Sequence, residues 1–327
     1  MMWVQFLITA AVIVLAATKL AEYGDVIAVR TRLGGLFIGT ILIAAATSLP
    51  EVLTTVSAVQ QSFPNLAAGN LLGSNTFNMF LLAVLDVLAR NERILRKVAL
   101  KHALSGSLAI FMIGLVLFFM IANLSIKIGW VGVDSLLIML GYFAAMYLLQ
   151  ASNTDGALLE VEVPPGMPSL ATALLGFGVA AGALIYVTPY MVSASAEIAE
   201  VTGLGTTFVG STLVAAVTSL PEMVTTLAAL RFGAYDMAIG NLFGSNLFNM
   251  FALGLTDVFY TPGRFLAVID PSFLLVGMLG LLMTGMGLIG NLARLRHRIL
   301  FIEVDALALT VLYFGGMYLL YLRGISP

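Results

Sequence analysis

The chain has 327 residues, 60% of them hydrophobic and 10% charged, with a net charge of −2. A soluble globule carries about 25% charged residues, so a water-soluble fold is excluded and an all-α polytopic membrane protein is predicted. The absence of cysteine excludes disulfides, thiolate metal sites and Cys nucleophiles.

A bilayer crossing takes about 20 apolar residues. Ten such stretches are predicted, at 2–20, 33–60, 66–89, 99–121, 128–150, 168–190, 204–231, 237–260, 268–291 and 300–322. The first lacks a basic start and a small-residue cleavage site, so it reads as a span and not as a removed signal. The second and seventh contain proline and are expected to be bent or interrupted. A polar, acidic connection at 151–167 separates a first five-helix repeat, 1–150, from a second, 168–327.

The side on which neither terminus lies receives twelve Lys and Arg residues, and the terminus side only Lys127, Arg264 and Arg323. Positive charge marks the cytoplasmic side. Both termini are therefore expected outside the cell, and the linker in the cytoplasm.

Shifting the chain by 171 residues lays Gly39–Val87 on Gly210–Val258 without a gap, with 26 identities in 49 positions. TSLPE recurs as TSLPE, and GNLLGSNTFNMF as GNLFGSNLFNMF. The chain is a tandem duplication. Five spans per half force the halves into opposite orientations, the inverted-repeat plan of secondary transporters, with the site near the midplane between the repeats.

Glu51 and its twin Glu222 lie within spans, where a carboxylate is costly and faces a cavity or a partner. No Lys, Arg or His lies within a helical turn of either inside the membrane, so a bound cation is the expected counter-charge. Carboxylate oxygens suit Ca²⁺, Mg²⁺ or Na⁺. Thr47, Ser48, Thr218 and Ser219 add hydroxyls beside them. Pro50 and Pro221 lack an N–H and release the carbonyls of Ala46 and Val217. Freed carbonyls at membrane depth line cavities or bind ions.

The second motif offers Asn70, Ser74, Asn75 and Asn78, with twins Asn241, Ser245, Asn246 and Asn249. Ser74 and Asn78 are four apart and share a helix face that can complete a cation shell, as do Ser245 and Asn249. For Asn70 and Asn75, interhelical hydrogen bonding competes equally with ligation, and Gly69 and Gly73 permit close packing. Asp86 and Asp257 lie near span ends and read as structural or vestibular, with Arg90 four residues after Asp86. His102 and His297 fall in or beside basic loops. No Walker-type loop is present, and no Ser/His pair or intramembrane Asp dyad suggests an enzyme.

TSLPE and GSNxFN in both halves resemble the cation/Ca²⁺ exchanger superfamily, in its prokaryotic Na⁺/Ca²⁺ exchanger-like branch. The resemblance implies a ten-helix antiporter of the prokaryotic cell membrane, with no cofactor, no nucleic-acid partner and a self-sufficient monomer. Glu51 and Glu222 match its central acidic ligands. Thr47, Ser48, Ser74, Thr218, Ser219 and Ser245 match its Na⁺- and Ca²⁺-coordinating positions, with Ca²⁺ at Glu51, Glu222, Thr47 and Thr218. The carbonyls of Ala44 and Ala215 match its backbone ligands, and Asn78 a middle-site polar residue. The first and sixth spans resemble helices that slide as a gate.

One position departs from the pattern. The structurally known archaeal type and the K⁺-dependent exchangers carry an acid where Asn249 stands. Two carboxylates instead of three argue against a K⁺ requirement and leave less charge for several Na⁺ ions. The H⁺-coupled branch has His near its second motif, and none occurs here, which favours Na⁺ as the driving ion. The alternatives are an H⁺-coupled Ca²⁺ exchanger, an exchanger of another divalent cation such as Mg²⁺, and a cation channel.

Overall fold

The computed structural model describes residues 1–31, 46–88, 94–152, 166–231, 233–293, 298–299 and 302–325. The first half contains α1 (Met2–Thr31), α2 (Leu49–Gln60), α3 (Pro64–Leu88), α4 (Ile94–Ala122) and α5 (Val133–Ser152). The second contains α6 (Leu170–Thr202), α7 (Gly205–Val209), α8 (Ala215–Thr218), α9 (Leu220–Arg231), α10 (Tyr235–Phe259), α11 (Phe265–Val268), α12 (Phe273–Ala293) and α13 (Val304–Ile325). A π-helical turn, Gly210–Val214, joins α7 to α8.

Among the described residues, seven helices are long and apolar enough to cross a membrane, or eight when the bent unit Gly205–Thr218 plus Leu220–Arg231 is one span. α10 has the length, at 25 residues, but buries Asn241, Ser245, Asn246 and Asn249. The first part of the second predicted span, 33–45, which includes Ala44, lies outside the described residues, as does most of the linker. The first helix is longer than its apolar stretch and continues to Thr31.

The fold is nearly all helical, but it holds two short antiparallel ribbons that the apolar pattern did not announce. β1 (Lys127–Ile128) pairs with β2 (Val131–Gly132), and β3 (Arg298–Ile299) with β4 (Ile302–Glu303). They are counterparts under the 171-residue shift. So are two ring clusters, Phe77, Phe80, Tyr313 and Phe314, and Phe248, Phe251, Tyr142 and Phe143. The duplication thus extends well beyond the segment where the identities are dense.

Burial follows the logic of a lipid solvent. Leu7, Leu15, Phe118, Tyr147 and Leu175 are exposed on the outer helices, while Glu51, Glu222, Asn70, Asn75 and Asn78 of α3 and the asparagines of α10 are buried. α3 and α10 pack against each other at the centre, and α1 lies along α6 on one side. Gly69 and Gly73 bring α3 onto the backbone of the π turn. A Cβ on Gly73 would stand 2.5 Å from the Ser211 carbonyl oxygen, and one on Gly69 2.8 Å from the Ser211 nitrogen. Only glycine fits so close a helix crossing.

Candidate functional site

The two TSLPE segments break their helices in the same way. Ser48 has φ −89° and ψ 6°, and Ser219 φ −89° and ψ 2°. Each serine precedes a Leu-Pro pair that opens a new helix, where proline's missing N–H costs nothing. The second break bends the chain by 41°. Glu51 and Glu222 thereby fall in the first turns of α2 and α9. A helix N-terminus is electropositive and favours a carboxylate.

Each carboxylate is held from the opposite half. Ser48 Oγ donates to Glu222 Oε1 at 3.1 Å, and Ser219 Oγ donates to Glu51 Oε1 at 3.1 Å. Both glutamates are fully buried. Among the described residues neither has a cationic side chain as partner.

The asparagines divide into two kinds. Asn70 is saturated: its Nδ2 donates to the Glu51 carbonyl at 2.9 Å and to Thr55 Oγ1 at 3.0 Å, and its Oδ1 accepts from Thr218 Oγ1 at 2.9 Å. Its twin Asn241 donates to Thr225 and Thr226, both at 3.2 Å, and accepts from Thr47 Oγ1 at 3.4 Å. These two residues clamp helices together. Thr55 and Thr226 went unnoticed in the sequence, although the motif repeats them as TSLPEVLTT and TSLPEMVTT.

Asn78 Nδ2 donates to Asn246 Oδ1 at 3.0 Å, and Asn249 Nδ2 donates to Asn75 Oδ1 at 3.0 Å. The Oδ1 atoms of Asn78 and Asn249 have no hydrogen-bond partner among the described residues. The same is true of Glu51 Oε2, Glu222 Oε2 and Ser245 Oγ, all buried. Ser74 Oγ lies 3.5 Å from Thr218 Oγ1. The Ala215 carbonyl accepts from Ser219 N at 3.1 Å and from Thr218 Oγ1 at 3.3 Å, so it is engaged within its own helix.

The structure therefore brings Glu51, Glu222, Thr47, Ser48, Ser74, Thr218, Ser219, Ser245, Asn78 and Asn249 to the crossing of α3 and α10 with the two broken helices. Asp257 stands apart from this crossing. It accepts backbone N–H groups from Gly132 and Phe265, which fastens the β1–β2 ribbon and α11 to the end of α10. Asp86 lies with Glu303 and Asp305 at the twin position. His102 is 3.8 Å from Asp236. Arg90 and His297 lie outside the described residues.

The pattern that defines the family described as sodium/calcium exchanger protein matches residues 1–150 and 172–322. The putative antiporter CaxA of Alkalimonas amylolytica is 26% identical over 97% of this chain and 98% of its own length. Among solved structures, the H⁺/Ca²⁺ exchanger CAX superposes with a TM-score of 0.73 at 13% identity, covering 99% of this chain and 85% of that one. The sodium-calcium exchanger NCX_Mj superposes with a TM-score of 0.59 at 19% identity, covering 97% of each chain. At these identities the likeness to the solved structures concerns the fold.

Proposed function

Because the chain belongs to the sodium/calcium exchanger protein family, a family of membrane antiporters and not of enzymes, we propose that it exchanges Na⁺ for Ca²⁺ by alternating access. Both ions are taken in turn between Glu51 and Glu222. The observation that carries this reading is the set of four buried acceptors, Glu51 Oε2, Glu222 Oε2, Asn78 Oδ1 and Asn249 Oδ1, that no protein donor satisfies among the described residues. A buried acceptor left alone costs about 1–3 kcal/mol, and more when charged. Carboxylate and amide oxygens are the ligands that Ca²⁺ and Na⁺ prefer, so hard cations suit these acceptors. Two negative charges balance one Ca²⁺ or two Na⁺.

Exchange follows from the same charges. Two bare carboxylates sharing a site of low dielectric repel each other and are poorly solvated. Occlusion of the unloaded protein is therefore unfavourable, and only loaded forms cross between the two faces. Na⁺ and Ca²⁺ compete because they share Glu51 and Glu222.

In this reading the protein spans the prokaryotic cell membrane ten times. Repeats at 1–150 and 168–327 flank a cytoplasmic linker at 151–167, and both termini lie outside. The separate family matches on the two halves support that division. So does the pairing of bonds under the 171-residue shift, with partners exchanged. The monomer holds all the proposed ligands.

The test is ⁴⁵Ca²⁺ uptake into proteoliposomes preloaded with Na⁺, against K⁺ and H⁺ gradient controls, for the parent chain and Glu51→Gln. Uptake that requires internal Na⁺ and vanishes in the variant is expected. Uptake driven equally by a proton gradient would replace Na⁺ by H⁺ as the coupling ion. Absence of Ca²⁺ flux under every gradient would overturn the choice of cargo.

A further inference from the structure

We infer that Asn75 and Asn246, which are not placed as ion ligands, are positioning residues that turn the side-chain amides of Asn78 and Asn249 oxygen-first toward the transported cation. The inference rests on the cation site proposed above.

An amide has an accepting end and a donating end of nearly the same shape. Rotated by 180°, Asn78 or Asn249 would offer two N–H hydrogens to a cation and repel it. Something must fix the choice, and a chain of hydrogen bonds anchored on the main chain does so. Asn246 Nδ2 faces the carbonyl oxygen of Asn75 at 3.4 Å. A carbonyl oxygen only accepts, so Asn246 must turn its N–H₂ end there. Its Oδ1 is then the end presented to Asn78, which must answer with Nδ2, at 3.0 Å. The Oδ1 of Asn78 is left over, buried and unpartnered among the described residues.

The mirror chain runs the other way. Asn75 Nδ2 faces the carbonyl of Asn246 at 3.5 Å, Asn75 Oδ1 accepts from Asn249 Nδ2 at 3.0 Å, and Asn249 Oδ1 is left over. Each half of the protein thus sets the polarity of the amide in the other. The device is specific to an amide. A carboxylate presents oxygen whichever way it turns and needs no such control.

That difference supplies the test. Direct ⁴⁵Ca²⁺ binding, with Na⁺ as competitor, is measured on the purified full chain and on Asn75→Leu, Asn249→Asp and the double variant, with thermal unfolding followed in parallel. Partners that orient ligands typically contribute 10- to 100-fold to metal affinity. Asn75→Leu is expected to weaken Ca²⁺ binding by about 10-fold or more. In the Asn249→Asp background the same substitution is expected to cost less than about threefold, because no amide remains there to be turned. Asn75→Ala, which leaves the helix crossing open, repeats the comparison if the leucine variant does not fold.

Equal losses in both backgrounds would mark Asn75 as packing alone and overturn the inference. So would full-strength binding by Asn75→Leu. Failure of the parent chain to bind either Ca²⁺ or Na⁺ would overturn the exchange reading and this inference together, which separates the two cases.

Discussion

Ser48 reaches across the protein to donate to Glu222 at 3.1 Å, and Ser219 returns the bond to Glu51 at the same distance. Each serine therefore serves the carboxylate of the opposite half. Hydrogen bonds to charged groups contribute about 1.5–3 kcal/mol. Ser48→Ala and Ser219→Ala are each expected to lower apparent cation affinity by about tenfold or more, and to a similar degree. Titration of uptake rate against Ca²⁺ concentration checks both. A loss in one variant alone would show that the two carboxylates do unequal work.

Asn70 and Asn78 are two turns apart on α3 and should fail differently. Asn70 has both ends engaged, so Asn70→Ala removes the bonds to the Glu51 carbonyl, Thr55 and Thr218 at once and is expected to lower thermal stability by about 1–3 kcal/mol. Asn78→Ala removes an oxygen without a protein partner among the described residues and is expected to weaken ion binding more than it lowers the melting temperature. Melting curves and uptake titrations on the same two preparations decide the point.

At the proposed site, protons and cations would meet the same carboxylate oxygens. Metal ligands bind in their deprotonated form, so affinity falls as acid is added. Uptake is expected to decline as the medium is taken from about pH 8 to about pH 5, and raised Ca²⁺ should restore it. A flat profile at limiting Ca²⁺ would remove Glu51 and Glu222 from the ion path.

Gly73 tests the packing that brings the halves together. Its missing Cβ would meet the Ser211 carbonyl oxygen at 2.5 Å, a contact with main chain that cannot swing aside. Gly73→Ala is expected to destabilise the protein by at least about 1–3 kcal/mol. Gly178→Ala on α6, where a Cβ meets nothing within 4 Å among the described residues, should be neutral or slightly stabilising. Unfolding temperatures in detergent compare the two.

Much of this site was readable in the sequence because the duplication wrote it twice. Composition gave the membrane class, and Glu51, Glu222, Ser48, Ser219, Asn78 and Asn249 stood out as polar residues in apolar surroundings. The helix breaks followed from Pro50 and Pro221. What stayed hidden was which half serves which. Spacing places a side chain on its own helix, whereas the Ser48–Glu222 bond joins residues 174 apart and depends on how helices cross. The same limit kept Asn70 and Asn75 undecided between glue and ligation. The β1–β2 and β3–β4 ribbons escaped because two-residue strands leave no periodic signal. The expectation for Ala44 lies outside the described residues, and the Ala215 carbonyl is already engaged by its own helix.

The exchange of bonds between halves also shapes how the protein must be made. Glu51 leaves the ribosome 168 residues before Ser219, and Asn70 leaves 148 residues before Thr218. At a synthesis rate of about 5–20 residues per second, Glu51 waits roughly 10 to 30 seconds for its donor. During that interval a nascent first half holds an unsatisfied carboxylate at the edge of hydrocarbon, where it is costly. Two halves that look like independent copies thus complete each other's polar bonds, and a chain cut off between them leaves Glu51 without the Ser219 donor.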